Sequence, residues 1–218
     1  MKLTIDIENT VTRLPSGKIL LDPFTPDNKL VLVCTKTDTG EEASYWFNHK
    51  THTTEGAKDK LQEQLDKATV INCHNAQHEL IWLWDCGFTY DGPVFDTMLV
   101  EYLLQRAQKQ PLSLQAIAER YCLVNQKMDL MKEQLKAGVS VDEIDGDDLE
   151  EYCLADVKAT QELSESLIKK LYTTQYSSLI PIASLTNELC RLLAKIYSRG
   201  FTIDTKVLSE VKIQFKKE

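Results

Sequence analysis

No stretch of the chain approaches the roughly 20 consecutive apolar residues that a membrane span requires, and the N-terminus, Met1-Lys2-Leu3-Thr4-Ile5-Asp6, turns polar too early for a secretory signal. The expectation is a cytoplasmic protein with no membrane partner. C-x-x-C pairs are missing too. The six cysteines, Cys34, Cys73, Cys86, Cys122, Cys153 and Cys190, are scattered, most of them inside apolar runs. They read as buried free thiols in a reducing compartment, not as zinc ligands or disulfides. Positive charge is also in short supply: 25 Lys and Arg against 33 Asp and Glu leave a net charge of −8. That argues against a generic basic surface that coats nucleic acid. It leaves room for a nucleic-acid enzyme that grips its substrate through divalent cations, because such a site needs acidic ligands. Internal repeats and low-complexity segments are absent.

What is present suits one compact domain with a sizeable core: 218 residues, 43% hydrophobic and 27% charged. Residues 3–7, 30–35 and 44–47 read as strands separated by turn-rich stretches, a meander and therefore antiparallel. Helices are predicted over 58–67, 75–86 (stopped by Gly87), after a cap at Asp96, after a cap at Ser113, from Asp147 to about Tyr172, and from about Ile182 to Arg199. Short strands at 70–73 and 94–95 lie between them. Strands first, then strands alternating with helices, give an α/β layered fold with a mixed sheet.

Three acidic blocks stand out. Asp6 and Glu8 are two apart on an otherwise apolar strand, so both face the same way. Their mutual repulsion and burial cost vanish if a cation sits between them; the alternative is a strand that frays into solvent after Ile5. Asn75 and Glu79 follow a strand and are four apart, on one helix face. Strand ends in open α/β sheets are where ligands bind, although an N-capping Asn and a solvated Glu account for the pair as well. Tyr152 and Asp156 share the apolar face of the longest helix, where an unpaired charge is expensive; a Tyr–Asp hydrogen bond that only steadies the helix is the plainer account.

Order and spacing of the three blocks resemble the DEDD superfamily of 3′–5′ exonucleases, in the subgroup whose third motif is Tyr-x-x-x-Asp. Ile5-Asp6-Ile7-Glu8 matches the first motif, and His74-Asn75-Ala76-Gln77-His78-Glu79 is similar to the second. Phe95-Asp96-Thr97-Met98-Leu99, Tyr102-Leu103-Leu104 and Leu112-Ser113-Leu114 through Tyr121 resemble segments of family A DNA polymerases, as does Leu192 through Asp204. The start at the first motif is more like small phage polymerases than cellular polymerase I.

That resemblance implies a ribonuclease H-like fold, a central mixed five-stranded sheet flanked by helices. It implies a nuclease domain over 1–175 and, over 176–218, a helical connection to a polymerase domain that the chain lacks. The segment after about Ile180 is then expected to be foreign to the nuclease, so that its removal leaves activity largely intact. The implied activity is proofreading: two-metal hydrolysis of single-stranded or mispaired DNA 3′ ends that releases nucleoside 5′-monophosphates, next to a polymerase domain or subunit. For a phage-encoded chain the place of action is the cytoplasm of a bacterial host. Asp6, Glu8 and Asp156 would hold Mg2+, for which Mn2+ can substitute, with Glu79 supporting the second ion. Tyr152 would orient the attacking water, and Asn75 and Ile7 would contact the terminal nucleotide. One departure matters: Glu79 stands where the family has Asp, and the extra methylene moves the carboxylate by about a bond length, a misplacement that can cost ~100-fold. An RNA-processing exonuclease and a weakened scaffold that docks a polymerase are the rival readings. Bland readings go to His49 and His52 (a solvated polar loop), Trp82 and Trp84 (core or interface), Asp96 (a cap), and the acidic run from Asp142 to Glu151 (a solvated turn and helix start).

Overall fold

In the computed structural model, residues 1–123, 134–135 and 137–215 are described. A five-stranded sheet runs in the order β5 (Glu42–Trp46), β4 (Leu30–Thr37), β1 (Lys2–Asn9), β6 (Val70–Cys73), β7 (Val94–Asp96). β1 is antiparallel to β4, after a connection of residues 10–29, and β4 is antiparallel to β5 across the short turn at 38–41. β6 and β7 follow in parallel after helical crossovers. The result is the mixed, helix-flanked α/β sheet that the motif resemblance implied. A small hairpin, β2 (Thr12–Arg13) with β3 (Ile19–Leu20), was not foreseen; the sequence shows only its turn.

The alternation of β1 divides the molecule. Leu3, Ile5 and Ile7 are buried on one side, in a core shared with α1 (Ala57–Lys67) and α2 (Ala76–Asp85). Asp6 and Glu8, half-buried, take the intervening positions. Toward β4 lies α5 (Gly146–Leu171), packed through Leu149, Tyr152, Cys153 and Val157. Its N-terminus is capped by Asp145, which accepts from the amides of Asp147 (3.0 Å) and Asp148 (3.4 Å). Asp147 and Asp148 in the first turn and Lys169 and Lys170 in the last complement the helix dipole. Farther along, Ala159, Leu163 and Leu167 meet α3 (Thr97–Leu104) and α4 (Leu114–Arg120).

Several expectations are corrected. The acidic run is not a merely solvated turn, because Ile144 and Leu149 in it are buried. His49 is buried as well, held between the Ile144 carbonyl and Trp46. Cys122 is exposed and Cys86 half-buried, so only four of the thiols belong to the interior. After Leu171 the chain forms α6 (Ile180–Arg199) and α7 (Thr205–Phe215), the latter without any sequence prediction behind it. The inner face of α6 packs against the sheet and α2. Cys190 and Ala194 join the β1–α2 core, and Asn187 accepts from the Asp96 amide at 2.7 Å. The outer face leaves Leu185, Leu189, Leu192 and Ile196 exposed. Among the described residues no helix is long and apolar enough to cross a membrane.

Candidate active site

A cleft of about 580 Å³ opens where the C-terminal ends of β1 and β6 meet α5, the side of an open α/β sheet where ligands bind. Asp6, Ile7, Glu8, Asn75, Glu79, Tyr152 and Asp156 all line it. Residues up to 150 positions apart are thus gathered by three elements: β1, the start of α2 and the middle of α5. The side chain of Asn75 does not cap α2; that role belongs to Asp96. Its carboxylate accepts from the amides of Asn75 (3.4 Å) and Ala76 (2.8 Å), and again from Met98 (2.9 Å) and Leu99 (3.2 Å) at the start of α3. Asn75 itself sits at φ +90°, a left-handed conformation that Asn tolerates better than most residues, and this turn leaves its side chain exposed at the cleft.

The electrostatics are those of crowded acids. Glu79 is only 3% exposed, and its Oε2 meets no hydrogen-bond donor among the described residues. Burial, and then the charges of Asp6, Glu8 and Asp96, push its pKa well above the usual carboxylate range. The Tyr152 hydroxyl bonds the Asp156 side chain; burial first and the neighbouring Glu8 charge next push the phenol far up, so it stays protonated and remains a donor. Asp156 is buried at 3% exposure, where an ionised carboxylate is costly. Sequence reasoning missed Cys153. Its thiol lies 3.7 Å from both the backbone oxygen and Oδ2 of Asp6, and potential ligand atoms of Asp6, Glu8 and Cys153 fall within 4.8 Å of one another. Burial, the neighbouring Cys34 and the nearby carboxylates raise the thiol's pKa and keep it protonated, a poor ligand and a weak donor to Asp6. No sequence signal marked it, because it reads as one more apolar position of α5. His78 was also passed over: its Nε2 lies 3.0 Å from Asn9 Oδ1 on the cleft wall, and burial lowers its pKa to about 4.

A buried carboxyl group whose pKa is raised by neighbouring acids, with an oxygen that no donor among the described residues satisfies, fits a hard divalent cation. The protonated thiol does not alter that fit, since magnesium takes oxygen ligands.

Comparison with known proteins agrees. A family model described as 3′–5′ exonuclease matches residues 21–172, well over half the chain. The match includes Asn75, Glu79, Tyr152 and Asp156 and begins after Asp6 and Glu8. No curated protein sequence matches. Among solved structures, the POL domain of Pol1 from M. smegmatis, in complex with DNA primer-template and dNTP, superposes with a TM-score of 0.65 at 17% identity over 99% of this chain, which spans 32% of that one. NrnC from Brucella melitensis superposes with a TM-score of 0.61 at 18% identity over 91% of this chain and 86% of that one. It has also been solved with bound Mg2+ and with pGG. At these identities the likeness establishes the shared fold.

Proposed function

The chain belongs to the 3′–5′ exonuclease family of family A DNA polymerases, and from that membership we propose that it removes nucleotides from single-stranded or mispaired DNA 3′ ends and releases nucleoside 5′-monophosphates. The observation that carries this reading is the convergence of Asp6, Glu8, Glu79, Tyr152 and Asp156 on one cleft. Asp6, Glu8 and Asp156 would hold divalent cations, with Glu79 in support. When bound, such ions supply an activated water and neutralise charge on the phosphate. The chain's own residues do the rest. Tyr152, tied to Asp156 and kept protonated, offers its hydroxyl to orient the water. Asn75, turned outward by its left-handed backbone, is placed to hydrogen-bond the terminal nucleotide, and Ile7 lines the same cleft. The physiological setting that follows is proofreading beside a polymerase domain in a bacterial cytoplasm, and the exposed apolar face of α6 supports such a neighbour. A second reading, hydrolysis of RNA ends or very short oligonucleotides, rests on the likeness to NrnC, solved with pGG.

The test is magnesium-dependent degradation of a 3′-mismatched DNA primer beside an RNA of matched sequence. DNA should be the faster substrate, and Asp6→Ala/Glu8→Ala should abolish cleavage with the unfolding midpoint retained. Equal activity in the double variant would remove the site from these carboxylates; faster RNA cleavage would favour the second reading.

A further inference from the structure

A second cleft of about 430 Å³ continues from the first, sharing with it Ile19, Leu21, Asn75 and His78. It runs between the β2–β3 hairpin and α2 toward α6, and its far wall is Tyr197. The hairpin side is pinned to α2, because the buried Trp82 donates from Nε1 to the Leu21 carbonyl at 3.1 Å. Tyr197 meets Phe24 with ring centroids 5.9 Å apart at an interplanar angle of 47°. Both rings are about half exposed, at 52% and 43%, and Ile19 and Leu21 beside them are exposed apolar residues as well. A row of exposed apolar and aromatic side chains therefore leads out of the candidate active site along a fixed groove. Lys18 is the single cation among its described lining residues.

We propose that this groove binds the bases of a DNA single strand upstream of its 3′-terminal nucleotide, with the Phe24–Tyr197 pair as a stacking platform. The inference rests on the exonuclease reading of the adjoining carboxylate site. Three observations select this occupant. The groove joins the cleft in which the strand's end would lie, so a strand seated there must leave by some such path. Its lining offers the exposed Tyr197 ring, with Phe24 packed beside it, and the aliphatic edges of Ile19 and Leu21, on which bases stack without regard to sequence. The chain carries a net charge of −8, and Lys18 is the one Lys or Arg among the groove's described lining residues, so phosphates meet little positive charge there. Stacking then has to carry the affinity, and a nuclease that must accept any sequence is served by contacts that read none. Tyr197 belongs to α6, so the helix that follows the nuclease motifs would form part of the substrate path.

The experiment is fluorescence anisotropy of 5′-labelled oligodeoxythymidylates from about two to about eight nucleotides long. EDTA prevents hydrolysis, and the parent is compared with Phe24→Ala, Tyr197→Ala, the double variant and Tyr197→Phe. For the parent, affinity should rise with length. The alanine variants should lose about tenfold on the longer oligonucleotides and nothing on the dinucleotide, while Tyr197→Phe, which keeps the ring, should behave as the parent. Thermal unfolding of each variant shows whether the fold is intact; Tyr197→Phe guards against a merely structural role for the ring pair. Length-independent loss, unchanged affinity in the alanine variants, or a parent whose affinity does not grow with length would each overturn the groove. Length-dependent binding by a parent that hydrolyses none of these oligonucleotides with magnesium would refute the exonuclease reading and leave the groove standing.

Discussion

Glu79 holds its proton more tightly in the folded protein than in the unfolded chain, because burial and the charges of Asp6, Glu8 and Asp96 all oppose its ionisation. The sign of the consequence is fixed. Below the unfolded value, near 4.5, both states are protonated and Glu79 does not affect stability. Above it the unfolded chain gives up the proton while the native state keeps it, so this residue lowers stability as pH rises. Glu79→Gln should therefore be more stable than the parent in EDTA at about pH 8 and equal to it at about pH 4, as read from urea midpoints. Added magnesium should reverse the order at high pH, since the parent gains more from ligand binding than the variant. A Glu79→Gln protein with unchanged stability at both pH values would mean that the carboxylate is solvated. Much of the site was legible at this scale, because strand and helix periods alone bring Asp6 to Glu8, Asn75 to Glu79 and Tyr152 to Asp156. The Cys153 thiol beside Asp6 was not legible, since that contact joins positions 147 apart and leaves no local pattern.

At the scale of elements, α5 carries two of the five proposed catalytic side chains, and its entry is fixed from outside by His49. Backbone amides of Thr51 and His52 point at Nδ1, at 3.3 and 3.2 Å, which makes that nitrogen the acceptor and leaves Nε2 to donate to the Ile144 carbonyl at 2.8 Å. Trp46 packs on both His49 and His52, with centroids 4.8 and 4.9 Å away. His52 in turn fills the space over Gly146, where an added Cβ would lie 2.1 Å from its ring. His49→Ala leaves a buried carbonyl without its donor and should cost about 1–3 kcal/mol in urea unfolding. It should also lower turnover, as the helix start loosens under Tyr152 and Asp156. A loss well below that range would mean that water replaces the imidazole. The described helices other than α7 were readable from their apolar period and caps, as was the antiparallel meander from its turns. The clamp was not, because a polar Asn-His-Lys-Thr-His segment looks solvated until the fold lays Ile144 over it, 95 positions away.

For the whole molecule, the sequence pattern yields a layered α/β body with its acids at one end. It does not reveal that α6 belongs to that body by one face and to the surface by the other. Ala183, Asn187, Cys190 and Ala194 are buried, while Leu185, Leu189 and Leu193 are not. A helix with apolar residues on both sides reads the same either way until its neighbours are known. Asn187 brings this inner face to the Asp96 amide, and the Asp96 carboxylate in turn receives the first amides of both α2 and α3. One carboxyl group thus closes two helix starts and couples their opening. In hydrogen exchange the amides near Ala76 and those near Met98 should lose protection together, as one cooperative unit with a common opening free energy. Asp96→Ala should lower both by the same amount, about 1–2 kcal/mol for the lost cap. Separate exchange rates for the two segments would show independent fraying. Shared rates would mean that the order of the turn bearing Asn75 and Glu79 is set from across the sheet, by a residue that never touches the reacting atoms.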